Sequence, residues 1–344
     1  MTDPDAEKPP YPWSPGSATG IGSLPGTDPA EALRTVLGEL PDFAYLPELP
    51  ARGPGADLLG RSATFLVDLP VEVAVSGWRF ADRPGRDLRH ALDFLARDLD
   101  TLAELAEDYR GPLKVQAAGP WTMAAGIELR YGEKAVADHG AVVDLATSLA
   151  EGVAAYVADV RSRVPGAQVV LQLDEPSLPA VLAARVPTAS GFRTLRRVEE
   201  SVVTDLLGRV IAAAGVPVVV HSCARDVPLE LLRRAGAIGA SVDLSLWDLE
   251  SSRDLDMLGE HLDAGAALFA GVLPAVDTSL ADAGRVADPV RRLWRRVGLS
   301  PATLAEQVVL TPACGLAGAG ERYARAVMTR AREAAKTLAD DPEG

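Results

Sequence analysis

The residue types in this chain best suited to chemistry are one histidine and two cysteines. His221 and Cys223 end the run that starts at Val216, whose β-branched residues predict a short strand buried on both faces. Side chains two apart on extended backbone point the same way, so the imidazole and the thiol should lie side by side. Cys314 ends a second apolar run, from Val308. Three such ligands meeting at strand ends would form most of a tetrahedral zinc site.

The fourth metal ligand is open between two acids. Asp243 ends the predicted strand that begins at Ile238, and it is favoured over Glu250, which lies on less regular backbone. The competing role for Asp243 is to cap the turn that begins at Leu244.

Acids also end two other predicted strands. Asp174 and Glu175 are adjacent and should face opposite sides of their strand, so only one can face the site. Asp174 is our choice, as a catalytic-site clamp for a substrate ammonium group. Glu48 follows the strand beginning at Phe43 and could act in the same way, or be a loop acid.

Two further features are candidates for substrate binding. Ile21-Gly22-Ser23 predicts a tight turn whose N–H groups could hold a carboxylate. Trp121 is assigned as an aromatic wall for a flat or apolar group, with simple packing as the alternative. The remaining histidines fall in or beside predicted helices and need no functional role: His90, His139 and His261.

About eight strands alternating with helices should position these residues. The predicted strands, some with their following turn, lie at 18–25, 43–48, 112–121, 168–176, 218–220, 238–243, 267–274 and 308–315. All candidate residues fall at or just beyond strand carboxyl ends, which a barrel gathers on one face. An open doubly wound sheet would not unite the first and last strands. The pattern therefore favours a single (β/α)8 TIM barrel over residues 18–338, with an insertion after the second strand, from Leu49 to Pro84.

Composition limits the remaining possibilities. The formal net charge of -14 over 344 residues argues against nucleic acid or an anionic membrane as partner. We expect tails at 1–17 and 339–344, from their polar composition. We expect neither an apolar run near 20 residues nor a signal peptide, and a reduced, cytoplasmic protein.

Four segments resemble the C-terminal catalytic barrel of cobalamin-independent methionine synthase, within the superfamily that also holds uroporphyrinogen decarboxylase. In chain order they are Ile21-Gly-Ser23, Gln172-Leu-Asp-Glu-Pro176, His221-Ser-Cys223 and Pro312-Ala-Cys-Gly-Leu316. The resemblance implies zinc held by His221, Cys223 and Cys314, with Asp243 standing where the family has a glutamate ligand. It also implies homocysteine bound by the Ile21–Ser23 turn and by acids matching Glu48 and Asp174.

The implied activity is zinc-dependent methyl transfer to the thiol of homocysteine, giving methionine, with catalytic roles for His221, Cys223, Cys314 and Asp174. The methyl donor is either a methylated corrinoid or methyltetrahydrofolate. The chain has no room for the second barrel that helps the long form bind folate, and it lacks the basic residues that follow Cys314 there. Its layout is similar to that of short relatives that use a corrinoid. The alternatives are methyl transfer to another thiol and a non-catalytic amino-acid-binding barrel.

Overall fold

A computed structural model describes residues 11–344. Within them the strands are β1 (Ala44–Tyr45), β2 (Val71–Ala74), β3 (Gly77–Phe80), β4 (Pro112–Ala118), β5 (Gln168–Asp174), β6 (Val218–Ser222), β7 (Gly239–Asp243), β8 (Ala267–Leu273) and β9 (Val308–Pro312). The helices are α1 (Pro29–Glu39), α2 (Leu58–Ser62), α3 (Arg86–Leu105), α4 (Pro120–Gly126), α5 (His139–Arg163), α6 (Leu178–Leu182), α7 (Glu200–Ala214), α8 (Leu229–Arg234), α9 (Ser252–Asp263), α10 (Ala283–Val297), α11 (Pro301–Gln307) and α12 (Glu321–Asp340).

Seven strands form one parallel sheet in the order β1-β4-β5-β6-β7-β8-β9. Neighbours in the sheet are successive along the chain and are joined by helices, as the alternating pattern predicts. β4, β6 and β9 are buried along their whole length, which explains their apolar composition. The α/β class is therefore confirmed, and the main sheet places all its strand carboxyl ends on one side.

The predicted first strand, 18–25, is not a regular strand. Instead, Ala18 forms an isolated parallel bridge with Leu310 of β9, and Ser23 forms one with Glu48 after β1. Gly20 explains the tight course of this segment, because a Cβ there would lie 2.3 Å from the Tyr45 ring. The segment thus joins the two edges of the sheet without forming a full ladder.

The predicted insertion from Leu49 to Pro84 has its own small architecture. It contains α2 and the antiparallel hairpin of β2 and β3, and α2 packs on β4 and α3. Asp57 organises it by capping α2, where its Oδ1 accepts from the N–H groups of Leu59 and Gly60, and by accepting from the Trp78 indole N–H at 3.0 Å.

Both predicted tails are corrected where the structure describes them. Residues 1–10 of the first lie outside the described residues, but Trp13 is buried, stacks on Phe43 and packs edge-on against Phe269. This aromatic contact fixes 11–17 to the sheet. At the other end α12 runs to Asp340, and the Arg291 guanidinium donates to the carbonyl of Asp341 at 2.6 Å. The barrel limits 18–338 stay a prediction.

Helix α5 is the segment that bears on the expected absence of a long apolar run. Within residues 11–344 it is the helix long and apolar enough, by length and composition alone, to cross a membrane. Of its most apolar stretch, 56% is buried, and the helix packs against α7, α4 and α3. Its place in the core accounts for its composition.

Candidate metal centre and adjoining pocket

The structure brings His221, Cys223 and Cys314 together. His221 lies near the carboxyl end of β6, Cys223 follows that strand, and Cys314 follows β9. One ligand atom from each lies within 4.8 Å of the others, and the two sulfurs are 3.1 Å apart. In a flat sheet, strands three positions apart are separated by roughly 14 Å. Curvature of the sheet is therefore what makes the cluster possible.

The imidazole of His221 is held from behind. Its Nδ1 lies 3.0 Å from the Ser241 hydroxyl on the neighbouring β7, in a fully buried contact. That hydrogen bond leaves Nε2 as the ring nitrogen that can coordinate a metal. Histidine ligands are commonly oriented by such a partner on their second nitrogen.

The two thiols share a hydrogen bond and therefore titrate as a pair. This bond lowers the pKa of Cys314, which His221 lowers further, and it raises the pKa of Cys223. One sulfur thus carries thiolate character more readily than an isolated cysteine. Two thiolates and a neutral imidazole form a donor set that suits a borderline-soft cation such as Zn²⁺.

Asp243 does not join these ligands. Its Oδ1 accepts from the N–H of Ser245 at 3.0 Å and from that hydroxyl at 2.6 Å, and so caps the 3-10 turn Leu244–Leu246. The capping alternative is the observed one, because local donors satisfy this short side chain. Glu250 pairs instead with Arg296 at 2.6 Å. In the described part of the chain, the metal-ligand group contains no carboxylate.

A pocket of about 170 Å³ adjoins the cluster. It is lined by Ile21, Gly22, Ser23, Glu48, Pro50, Ala56, Leu58, Asp174, Pro176, His221, Cys223, Cys314 and Gly315. The turn and both acids that the sequence singled out therefore surround one cavity beside the sulfurs. Gly315 permits this closeness, since a Cβ there would lie 2.1 Å from the Ser23 hydroxyl.

The Ile21–Ser23 turn offers unused donors. Within residues 11–344 the N–H groups of Gly22 and Ser23 have no hydrogen-bond acceptor, whereas the carbonyls of both residues accept from Glu48 and Leu316. Free N–H groups at a tight turn form a natural site for an anion. The turn thus has the character expected of a carboxylate-binding element.

The two pocket acids are buried, and burial raises the pKa of each. For Asp174 the nearby His221 opposes that rise, and the Gln172 amide donates to its Oδ1 at 2.7 Å. For Glu48 the opposing cation is Arg61, whose Nε lies 3.3 Å from Oε1. Both carboxyl groups would gain from a cationic partner inside the pocket.

Glu175 faces away from the pocket, as strand alternation predicts. Its fully buried carboxylate accepts from the N–H groups of Trp121 and Thr122, at 2.9 and 2.7 Å, and from the Thr122 hydroxyl at 2.8 Å. It therefore caps the first turn of α4. The preference for Asp174 as the pocket acid agrees with this arrangement.

The aromatic-wall role of Trp121 is wrong. The side chain is fully buried, does not line the pocket, and donates its indole N–H to the carbonyl of Val203 on α7 at 3.3 Å. Trp121 is the second residue of α4, which begins at Pro120 shortly after β4. In this position its side chain points towards α7. The packing alternative is the observed one.

Several buried polar residues around the site escaped the sequence analysis. They are Lys114 and Gln172 beneath the pocket, Ser241 behind His221, and the linked charges Arg52, Arg61 and Asp98 behind Glu48. The available signal was a lysine or glutamine inside an otherwise apolar strand. Such residues reach burial only when they are paired or hydrogen-bonded.

The curved parallel sheet carries an imidazole and two thiols at its strand carboxyl ends. The protein is therefore an α/β protein with a candidate metal centre. The family model described as the catalytic domain of cobalamin-independent synthase matches residues 107–337. The chain therefore belongs to the cobalamin-independent methionine synthase family, as the four sequence segments indicated.

One solved structure supports the fold. A B12-independent methionine synthase from Shewanella sp. W3-18-1, in complex with selenomethionine, has a TM-score of 0.63 and 13% identity, over 96% of this chain and 99% of that chain. GH5_18 from Streptomyces cattleya in complex with GlcNAc has a TM-score of 0.47 and 13% identity, over 95% and 80% of the two chains. No curated protein matches the sequence.

Proposed function

We propose that this protein is a zinc-dependent S-methyltransferase that converts homocysteine to methionine. The observation that carries the proposal is the meeting of His221, Cys223 and Cys314 beside a small polar pocket, in a chain of the methionine synthase family. The structurally similar Shewanella protein was solved with selenomethionine, an amino acid close in size to the proposed substrate and product.

The three side chains would hold zinc through His221 Nε2 and the sulfurs of Cys223 and Cys314. Bound zinc would hold the substrate sulfur as a thiolate at neutral pH, where a free thiol with a pKa near 8.5 is mostly protonated. Two anionic sulfur ligands leave the metal with little net positive charge, so a coordinated substrate sulfur stays nucleophilic. The described cluster contains no carboxylate, so these three side chains are the residues that would hold the metal.

The pocket residues would bind the amino acid part of homocysteine. The free N–H groups of Gly22 and Ser23 would receive the carboxylate, next to Ile21. Glu48 and Asp174 would face the ammonium group, whose positive charge offsets the rise in their pKa on burial. These contacts would direct the sulfur to the cysteine ligands and contribute the positional part of catalysis.

In the transfer step the substrate sulfur forms a bond to the methyl carbon, and the bond from that carbon to the donor breaks. The donor retains the electron pair and is either a methylated corrinoid or methyltetrahydrofolate.

We also propose that residues 18–23 act as the eighth member of a closed (β/α)8 barrel, through their bridges to β9 and to Glu48. We further propose that the protein acts in the cytoplasm, where thiols stay reduced.

Metal content and methyl transfer, measured on the same preparations, test the proposal. Wild-type protein should hold one zinc per chain and methylate homocysteine from methylcobalamin or methyltetrahydrofolate, assayed in parallel. Cys314→Ser should lose both properties. Ser222→Ala is a matched control, because this buried hydroxyl lies between two ligands in sequence and has no hydrogen-bond partner in the described chain. It should retain zinc and activity.

Three outcomes would contradict the proposal. Full zinc content and activity in Cys314→Ser would remove the site assignment. Transfer to other thiols but not to homocysteine would change the acceptor, and homocysteine binding without transfer from either donor would favour a binding protein.

A further inference from the structure

A buried lysine lies directly beneath the pocket and has no role in the reaction described above. Lys114 of β4 is fully buried, and its ammonium group donates to the carbonyl oxygen of Ile21 at 2.8 Å. The Gln172 amide of β5 donates to the same oxygen, also at 2.8 Å. Two strands thus hold a single carbonyl group from inside the sheet.

Lys114 is not fixed by an ion pair. Within residues 11–344 no ion pair includes its ammonium group, and burial lowers the pKa of Lys114 to about 7 against the opposing effect of Asp174 and Glu48. Its other contacts are the Gln116 amide oxygen at 2.9 Å and the face of Tyr45, 5.3 Å from the ring centroid. Burying a cation is costly, and an apolar replacement of similar shape is often neutral or stabilising. Stability alone therefore does not explain this lysine.

Peptide geometry connects Lys114 to the pocket. The bond between Ile21 and Gly22 is trans, so the Ile21 carbonyl and the Gly22 N–H point in opposite directions in one plane. Two donors that hold the carbonyl towards the sheet interior turn the N–H away from it, and Gly22 lines the pocket. A cationic donor on the carbonyl also polarises the peptide and strengthens its N–H as a donor.

We propose that Lys114 is the positioning residue for the carboxylate-binding turn: by holding the Ile21 carbonyl, it directs the Gly22 N–H at the carboxylate of the bound amino acid. The proposal rests on the function proposed above. Lys114 acts through the turn and does not touch the substrate, and its protonated form offsets the two pocket acids that would repel a carboxylate.

The test compares two ligands that differ only in the carboxylate. Calorimetric titration of zinc-loaded enzyme with L-methionine, the product, and with 3-(methylthio)propylamine, which has no carboxylate, gives both affinities. Lys114→Met should weaken L-methionine binding by roughly tenfold to hundredfold, as expected for loss of a charged hydrogen bond. It should leave the amine bound at least as tightly, because the positive charge near Glu48 and Asp174 is gone.

A second variant and a control keep the test decisive. Lys114→Gln retains a neutral donor and replaces the methionine variant if that variant does not fold. It should give a smaller loss of L-methionine affinity with the same selectivity. Gln307→Leu is the control: this buried amide also donates to two carbonyls, those of Leu262 and Ala266, but just before β9, away from the pocket. It should lower stability and leave both affinities unchanged.

The outcomes separate the two levels of the argument. Wild-type affinity for L-methionine in both Lys114 variants, or equal weakening of both ligands, would overturn the positioning role. Failure of the wild-type enzyme to bind L-methionine or homocysteine would overturn the proposed function itself, and this inference with it.

Discussion

Asp98 should be one of the most costly single positions in the protein to change. It lies on α3 with a side chain 1% exposed, and it accepts from Arg52 Nη1 and Nη2 at 2.7 and 2.8 Å and from Arg61 Nη1 at 2.7 Å. Asp98→Asn keeps the shape but removes the charge, leaving the buried Arg52 without an ion-pair partner and Arg61 with Glu48 alone. Breaking a buried pair in this way costs about 3–5 kcal/mol.

The same helix provides a matched control. Asp100 is 73% exposed and contacts Arg163 at 2.8 Å, so Asp100→Asn removes a surface ion pair worth roughly 0–1 kcal/mol. Both changes replace aspartate by asparagine inside α3, so their helix-propensity terms cancel. The difference in unfolding free energy should therefore be about 2–5 kcal/mol.

Equilibrium urea unfolding of the two variants and the wild type measures this difference, with unchanged m-values as the check on two-state behaviour. Unfolding free energies of the two variants within about 1 kcal/mol of each other would refute the reasoning, since burial would then not govern the cost. Asp98→Asn should also weaken amino acid binding, because Arg61 contacts Glu48 at the pocket.

Three further predictions concern the rest of the molecule. Burial lowers the pKa of His261 to about 4, so the unfolded chain binds an extra proton below its ordinary value of about 6.5. Stability should fall as pH drops from about 6.5 towards 4, by roughly 2 kcal/mol at pH 5, and urea unfolding of His261→Gln should show a shallower dependence. Gly152→Ala should destabilise the protein by at least 1–3 kcal/mol in the same assay, because its Cβ would lie 1.7 Å from the Phe65 carbonyl oxygen. The control is Gly38→Ala, because a Cβ at this exposed glycine would have no neighbour within 4 Å. Gly53 is a poorer control, since its positive φ strains any other residue. Chelation of the metal should lower the melting temperature of wild-type protein, with no effect on Cys314→Ser.

The metal cluster could be predicted because its logic is local. A β-branched run predicts a strand, period two aligns His221 with Cys223, and parallel strands place their carboxyl ends on one side. The approach of Cys314 followed from the assumption of a closed barrel, and in the structure a curved seven-stranded sheet brings Cys314 to the other two residues. The turn at Ser23 and the choice of Asp174 over Glu175 rested on equally local rules.

The errors have a common physical origin in competition for hydrogen bonds and packing. Asp243 could bind either a metal or local donors, and it accepts hydrogen bonds from the nearby Ser245 instead of joining the metal cluster. Trp121 had an apolar neighbour in α7 that its own strand and turn could not reveal. Lys114 was given no role from the sequence, because only the assembled sheet supplies the Ile21 carbonyl that accepts from it.

The junction between Ser23 and the segment after Cys314 ties the site to the order in which the chain is made. Leu316 donates its N–H to the Ser23 carbonyl at 2.8 Å, and Ala18 pairs with Leu310. The Ile21–Ser23 turn therefore leaves the ribosome long before Cys314. During synthesis the segment from Ala18 stays unpaired until β9, near the end of the chain, has been made. A product that ends before Cys314 would lack one of the three ligands of the proposed metal centre.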